Sequence, residues 1–578
     1  MLLHKNVKKI FLLITLLVLF LSSFHEAYAD TLGQRVNFNV NSEFDKYNRT
    51  SLNATLRHVG DWLYIYVEDS YWGGLNNFGQ NSLMANIKVL ADAFDNNIYP
   101  KEIATWGSEP NPGVDGDPRI TILLEEMTVN RGGYFETANS YPKAEARDSN
   151  EREMVSLNVE VLLSDSFLEK VFLAHEFQHL ISFNQKEKIL NLSEDVWLNE
   201  LRSEYSVSLA GYNYPYQDSN LEHRVQTFSD NRSDSLTEWP NNNLDYAMAA
   251  LFAEYLAEQF GTNILSDTLK SHLVGIPSLN KYLTDKGYSD PPAGGFSDIF
   301  INWLGALYLN DVSKNEKLGY KRTELKNIKV APQQEVHLSS GLPEYSSTQY
   351  IKDWQPLWLE FNTSDIMSNQ AKSAKIDISG EAGQSFIASY LAFHQSGQVE
   401  LGKINLISGR GSSYVLNSID RLDKVVVLAT KSTKISGFGQ NETSGYLNVR
   451  VSMVDTKNAE AQTLKDGVLI KRPREKEIYV IWGKYKRYLN PGVISLYGHL
   501  DPANAIELEP EVFNSYQTAN YVKYINEEKV YAVWPDATKH WMNITPQQWD
   551  ASSRDWNAIF TINDLELNYY KTGVDITR

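Results

Sequence analysis

The sequence predicts a multidomain α+β protein: a mixed helix–strand domain first, then all-β domains. Three observations carry this. The length, 578 residues, exceeds one domain and fits three or four. Helical periodicity dominates up to about residue 311 and gives way to short strands separated by Gly, Ser and Asn turns. The segment after residue 460 carries a weak internal repeat. The expected boundaries are 1–29, 30–325 (α+β), 326–460 (β-sandwich) and 461–578 (tandem small β modules, about 466–515 and 520–575).

The first 29 residues read as a signal peptide. Lys5, Lys8 and Lys9 precede an apolar run from Ile10 to Leu21, and Ala27-Tyr28-Ala29 supplies a small-residue cleavage site before Asp30. The run is shorter than the roughly 20 residues that a membrane span needs. The chain has no cysteine, which removes disulfides, thiol chemistry and lipid attachment through cysteine. Export from a bacterial cell, without membrane insertion, is the expectation. The formal charge of −18 becomes −20 once the signal peptide, with three Lys and one Glu, is removed. A surface of that sign excludes nucleic acid and anionic membranes as partners.

Within the α+β domain, alternation around Leu63, Ile65 and Val67 predicts a strand between Leu56 and Asp69. Leu83, Ile87, Leu90 and Phe94 have helical spacing over 82–98, with Tyr99-Pro100 marking the end. A turn-rich segment, 109–118, leads into a strand at 119–125. Asp115 and Asp117 in that segment leave Ca2+ open as an additional ion, but Arg119 occupies the next ligand position and turn formation accounts for both residues. Gly132-Gly133-Tyr134-Phe135 reads as a turn, and 153–161 as a strand.

The chemistry concentrates in 172–205. His175-Glu176-Phe177-Gln178-His179 is an H-E-x-x-H motif, which places two imidazoles four residues apart on one helix face. Ser166 to Glu169 reads as a capping box for this helix. Glu200 follows His179 by 21 residues, on a second helix whose start is marked by Ser193-Glu194-Asp195. Two imidazoles, one carboxylate and a water form the open tetrahedral site of a catalytic Zn2+. Glu176 lies about 100° around the helix from His175, where it reaches a water without binding the ion. Glu204, one turn beyond Glu200, is placed to accept from a ligand histidine and fix its tautomer. For the oxyanion donor, Tyr246, Tyr205 and His223 are candidates. Tyr246 is preferred because it opens the predicted helix 244–260, which Gly261 closes.

The position of the third ligand narrows the class. A third histidine six residues after the second is excluded, since Ser182 and Gln185 stand where the glycine and histidine of that layout belong. Asn199-Glu200-x-x-Ser203-Glu204 resembles the Asn-Glu-x-x-Ser-Asp of thermolysin, with Glu204 in place of the aspartate. Over about 54–261 the chain also resembles the hyicolysin-type secreted metallopeptidases. The marks are Ala54-Thr55-Leu56-Arg57-x-Val59-Gly60, Val114-Asp115-Gly116-Asp117, Gly132 to Phe135, Ser149-Asn150-Glu151-x-Glu153-Met154, Ala174 to Ile181 and Trp197-Leu198-Asn199-Glu200. That resemblance implies a zincin-like, gluzincin-type catalytic domain acting outside the cell as a zinc endopeptidase on protein or peptide substrates, with β-rich C-terminal additions. Arg202 stands where the family pattern implies a more apolar residue. About 25 residues between signal peptide and first strand leave no room for a long inhibitory prodomain. Competing readings are a catalytically silent binding or adhesion protein on the same scaffold, and an aminopeptidase.

From 326 to 456 the strands Pro356–Phe361, Ala374–Ile378, Lys424–Ala429 and Gly445–Val454 predict a sandwich. Thereafter Glu477 to Asn490 echoes Lys529 to Asn543 at a period of 52–53 residues. Cell wall or matrix is the partner these aromatic modules suggest, although core packing explains most of their Trp and Tyr content.

Overall fold

Alternating burial organises the first unit around one mixed sheet. The computed structural model describes 29–577 apart from 130, 232, 289–294, 340, 364–371, 407–408, 416–421, 456–463, 465, 509–512, 515, 526 and 553. The predicted signal peptide, Ala29 excepted, lies outside the described residues. Six strands, β1 (Arg35–Asn39), β2 (Ser51–Val59), β3 (Leu63–Glu68), β4 (Ile120–Glu125), β5 (Gly133–Phe135) and β6 (Met154–Asn158), lie in the order β1-β2-β3-β4-β6-β5. The centre, β3-β4-β6, is parallel and the flanks are antiparallel. The central strands are buried on both faces, as parallel strands usually are, so Tyr64 and Tyr66 are as buried as Leu63 and Ile65.

Helices α1 (Asn77–Ala93), α2 (Tyr99–Trp106), α3 (Val159–Ser164), α4 (Ser166–Ser182), α5 (Val196–Ala210), α6 (Asn220–Asp230) and α7 (Asn243–Phe260) complete the unit. Several expectations shift here. The strand read over Leu56 to Asp69 is two strands joined at 60–62, and β1 begins earlier, at Arg35. The chain does not stop at Tyr99-Pro100: a π-helical turn, Phe94–Ile98, passes into α2, where Pro100 sits in the first turn and needs no N–H partner. The strand read to 161 ends at Asn158, whose side chain caps α3. The cap of α4 is Asp165, one residue before the expected Ser166; its carboxylate accepts from the N–H groups of Phe167 and Leu168.

The sandwich consists of β7 (Gln334–His337), β8 (Glu344–Ile351), β9 (Leu357–Asn362), β10 (Lys372–Gly380), β11 (Phe386–His394), β12 (Val399–Ile404), β13 (Arg410–Val415), β14 (Leu422–Lys431) and β15 (Gly445–Asp455). One sheet runs β13-β10-β15-β8 and the other β12-β11-β14-β9-β7. Its inner faces form their own core, around Leu359, Ile376, Val427 and Val449. Its outer side joins the helical core: Trp354, Trp358, Val426 and Leu428 belong to the same buried cluster as Phe252 and Trp303. Trp354 meets Phe296 edge-on, with centroids 4.8 Å apart.

The repeat in the sequence corresponds to a repeated sheet. β16 (Leu469–Lys471), β17 (Ile478–Trp482), β18 (Tyr485–Leu489), β19 (Ile506–Glu507) and β20 (Gln517–Thr518) form one sheet, ordered β19-β16-β17-β18-β20. The second, β24-β21-β22-β23-β25, uses β21 (Tyr521–Tyr524), β22 (Val530–Val533), β23 (Thr538–Trp541), β24 (Ile559–Ile562) and β25 (Lys571–Thr572). In both, an antiparallel three-strand meander carries a parallel strand on each edge. The two share one core, with Leu489 and Val493 of the first packed with Val522, Phe560 and Ile562 of the second. Among the described residues, no helix is long and apolar enough to cross a membrane.

At the end of β4, Glu125 is buried; Tyr134 donates to one carboxyl oxygen at 2.9 Å and the other has no partner. Burial pushes its pKa up to about 8, from 4.5. Between those values the folded state keeps a proton that the unfolded chain releases, so stability falls as pH rises through this window. Glu125→Gln removes that loss: its advantage over the native chain grows by up to about 1.4 kcal/mol per pH unit from 4.5 to 8, read from urea unfolding at pH 5 and pH 8.

Candidate metal centre

Helix α4 is buried on nearly every side, so the directions of its side chains are set by packing. Phe177 sits edge-on to Phe94 at 4.9 Å and against Tyr99 at 5.6 Å, which fixes the helix rotation. His175 and His179 then leave the opposite face towards α5. The Nε2 atoms of the two histidines are 3.2 Å apart. Glu200 Oε2 lies 3.2 Å from the first and 3.3 Å from the second. Four tetrahedral ligands at about 2.0–2.1 Å from a Zn2+ ion are separated by about 3.3–3.4 Å. The three atoms therefore fit one face of that tetrahedron.

The surroundings fix the tautomers. Ser203 Oγ donates to Gln178 Oε1 at 2.6 Å, and this uses its only proton. Its contact with His179 Nδ1, at 3.1 Å, then makes Nδ1–H the donor and leaves Nε2 as a lone pair. On His175, Nδ1 faces Glu204 Oε1 at 3.5 Å, with the same consequence for Nε2. Two lone pairs and a carboxylate oxygen thus converge, and they need a cation between them. With no ion, a proton takes that role: the Glu200 carboxylate outweighs burial and raises the pKa of His179 to about 9, while the histidines hold Glu200 below the usual carboxylate range.

Glu176 lies beside the triangle with 9% of its surface exposed, and burial raises its pKa. The backbone of β5 runs past it, with the Phe135 N–H within hydrogen-bonding reach. This approach explains the two glycines read as a turn: they belong to an edge strand packed on α4. A Cβ on Gly133 would lie 2.8 Å from Leu157 and 3.2 Å from Glu176, and one on Gly132 would lie 2.2 Å from the Phe172 ring. A cleft of about 350 Å3 opens over the group; Phe44, Phe135, Phe183, Asn241 and Tyr246 line it.

Of the three oxyanion candidates, only Tyr246 lines this cleft. Its ring is 6.2 Å from that of His175, and its hydroxyl donates to Asn241 Oδ1 at 2.9 Å. Tyr205 is turned away, paired with Thr262 and edge-on to Trp106, and His223 is not among the lining residues. The segment expected to give α5 an acidic first turn does something else. Glu194 accepts from Arg202, at 2.9 Å, and from the Gly275 N–H, at 2.7 Å. Arg202 is wholly buried and also donates to Leu265 O and Thr268 Oγ1, so the core tolerates its charge through three acceptors.

Sequence reasoning missed Arg224, which grips both oxygens of Glu204, at 2.8 and 3.0 Å, from α6 and lies 5.0 Å from the Tyr246 ring. Nothing local marks it, because it arrives from a helix 20 residues away. Among the described residues, the group of ligand-type side chains close enough to share an ion is His175, His179 and Glu200; Asp115 and Asp117 are not part of such a group.

The fold and site thus define a helix-borne pair of histidines and a carboxylate, with a second glutamate poised beside them. No family model matches the chain. Over 242 residues it is 26% identical to the neutral metalloprotease ShpI of Staphylococcus hyicus, an alignment covering 38% of this chain and half of that relative's length. Among solved structures, the pre-peptidase C-terminal domain of a Bacillus anthracis collagenase aligns with 21% of this chain and 97% of its own, at 10% identity and a TM-score of 0.14. A xylan-binding domain of Paenibacillus barcinonensis Xyn10C aligns with 20% of this chain and 89% of its own, at 8% identity and a TM-score of 0.12.

The grip of Arg224 on Glu204 is testable by itself. Arg224→Met strands a carboxylate that is 1% exposed, and stability measured by urea unfolding at pH 7 should fall by about 3–5 kcal/mol.

Proposed function

We propose that the protein is a secreted, zinc-dependent endopeptidase with a zincin-like catalytic domain and a thermolysin-like site. The observation that carries this reading is the triangle of His175 Nε2, His179 Nε2 and Glu200 Oε2, whose edges of 3.2–3.3 Å suit a tetrahedral ion. The partial likeness to ShpI, itself a metalloprotease, supports the class.

In this reading His175, His179 and Glu200 hold the ion, which supplies Lewis acidity and brings the pKa of a water towards 7. Glu176 takes the proton of the attacking water and returns it to the leaving amine. Its raised pKa suits a group that must both take and give a proton near neutrality. Tyr246 swings its hydroxyl from Asn241 to the developing oxyanion. Strand β5, at the sheet edge, offers one side of its backbone to an extended peptide, which is thereby laid along the cleft past Glu176. Glu204, Arg224 and Ser203 keep the two imidazoles in the required tautomers.

The signal peptide places the enzyme outside the cell. Trp482 and Trp534 occupy equivalent places in the two C-terminal sheets and are about half exposed, which gives these modules an aromatic surface for wall or matrix polymers.

Glu176→Ala should abolish casein hydrolysis while one zinc per chain remains by atomic absorption. Glu200→Ala should lose the zinc as well. Casein cleavage by the purified Glu176→Ala protein would overturn the assignment.

A further inference from the structure

The segment 231–242, between α6 and α7, has neither helix nor strand, yet it delivers Asn241 and Tyr246 to the cleft. Its backbone must take its position from groups outside itself, and the sandwich supplies them. Ser235 Oγ donates to Asp353 O at 2.6 Å, and Leu236 N to Trp354 O at 3.0 Å. Trp239 N donates to Gly439 O at 3.0 Å, and Glu442 N donates to Glu238 Oε1 at 2.9 Å. Lys352 Nζ bonds the other oxygen of Glu238. Gly439 and Glu442 belong to the loop 432–444, between β14 and β15. Glu442 braces that loop from inside, accepting from Gly439 N at 2.7 Å and Lys434 Nζ at 2.6 Å.

The loop reaches both walls of the cleft. On one wall, the Trp239 ring stands edge-on to Tyr246, with centroids 5.2 Å apart, and Asn241, at φ +66°, receives the Tyr246 hydroxyl. On the other, Gly437 N donates to Asp195 Oδ1 at 2.9 Å. Asp195 stands immediately before α5, one turn ahead of Glu200, and its carboxylate does not cap that helix. An ordinary domain contact would not require a helix-start aspartate to turn away from its own helix.

We propose that the sandwich loop 432–444 is a positioning element of the peptidase site, which sets the Tyr246 hydroxyl through the clasp of Glu442 on Glu238 and of Gly439 on Trp239. This rests on the endopeptidase reading, in which Tyr246 donates to the oxyanion. The β-sandwich is then a working part of the catalytic unit rather than an appended module, and Glu238, Trp239 and Glu442 are positioning residues that touch no substrate.

The test uses the zinc-loaded full chain, a fluorogenic peptide and a double-mutant cycle. Glu442→Ala should lower kcat about tenfold with KM within about twofold, and Tyr246→Phe about a hundredfold. In the Tyr246→Phe background, Glu442→Ala should cost less than about twofold more, because the group it positions has gone. Glu442→Gln, which keeps an acceptor, should recover most of kcat. Glu238→Gln provides a milder second variant should Glu442→Ala fold poorly, with a loss of about threefold in the same direction. In parallel, 3-fluorotyrosine at position 246 gives a 19F signal that should shift in Glu442→Ala. An unchanged kcat, or the same loss in both backgrounds, overturns the proposal. An inactive native chain whose 19F signal still shifts keeps the positioning role and overturns the endopeptidase reading instead.

Discussion

Everything at the cleft follows from three electron-rich atoms held within 3.3 Å of one another with no proton available between two of them. Such an arrangement is repulsive in isolation and survives only if the protein holds each donor from behind and a cation occupies the centre. The holding groups are visible: Ser203 and Gln178 behind His179, Glu204 behind His175, and Arg224 behind Glu204. The charges alternate outward from the centre, anion, cation, anion, which keeps each buried group compensated. The fold around this group can be read as the means of keeping α4 and α5 at the separation it demands.

That separation is enforced from three directions. The sheet presses on α4 through a strand thinned to two glycines. The aromatic cluster of Phe94, Tyr99 and Phe177 fixes its rotation from the other side. The start of α5 is gripped by Glu194 and Asp195, whose partners lie in α5 itself, the segment at Gly275 and the sandwich. A side chain that looks like helix-capping chemistry in one dimension is spent on tertiary contacts in three.

The sequence was legible where function and local geometry share a short range. H-E-x-x-H implies its own helix, and Asn199-Glu200-x-x-Ser203-Glu204 implies another, so the residues that meet at the centre could be named from spacing. The change from helical periodicity to short strands matched where the strand-rich region begins, and the 52–53-residue echo corresponds to two sheets of one topology. What stayed hidden depends on distant partners. Gly132 and Gly133 look like a turn because the helix they must approach is 40 residues away. Glu194 looks like a dipole-complementing acid because Arg202 gives no sign of being buried. Arg224 and Trp239 carry no motif, since their importance lies in what reaches them from α5 and from the sandwich.

The paired C-terminal sheets have a consequence for durability. Arg487 and Glu566, one from each half, form a buried ion pair with Tyr497 and Tyr570 around it, inside a core to which both halves contribute. Neither half can open alone without exposing that core and stranding a charge, so the cheapest excursion is the loss of both together. Partial opening is what exposes a chain to digestion. A cysteine-free protein that shares its surroundings with proteases thus has, in a duplicated and fused pair of sheets, a cross-brace that no change in redox conditions can undo.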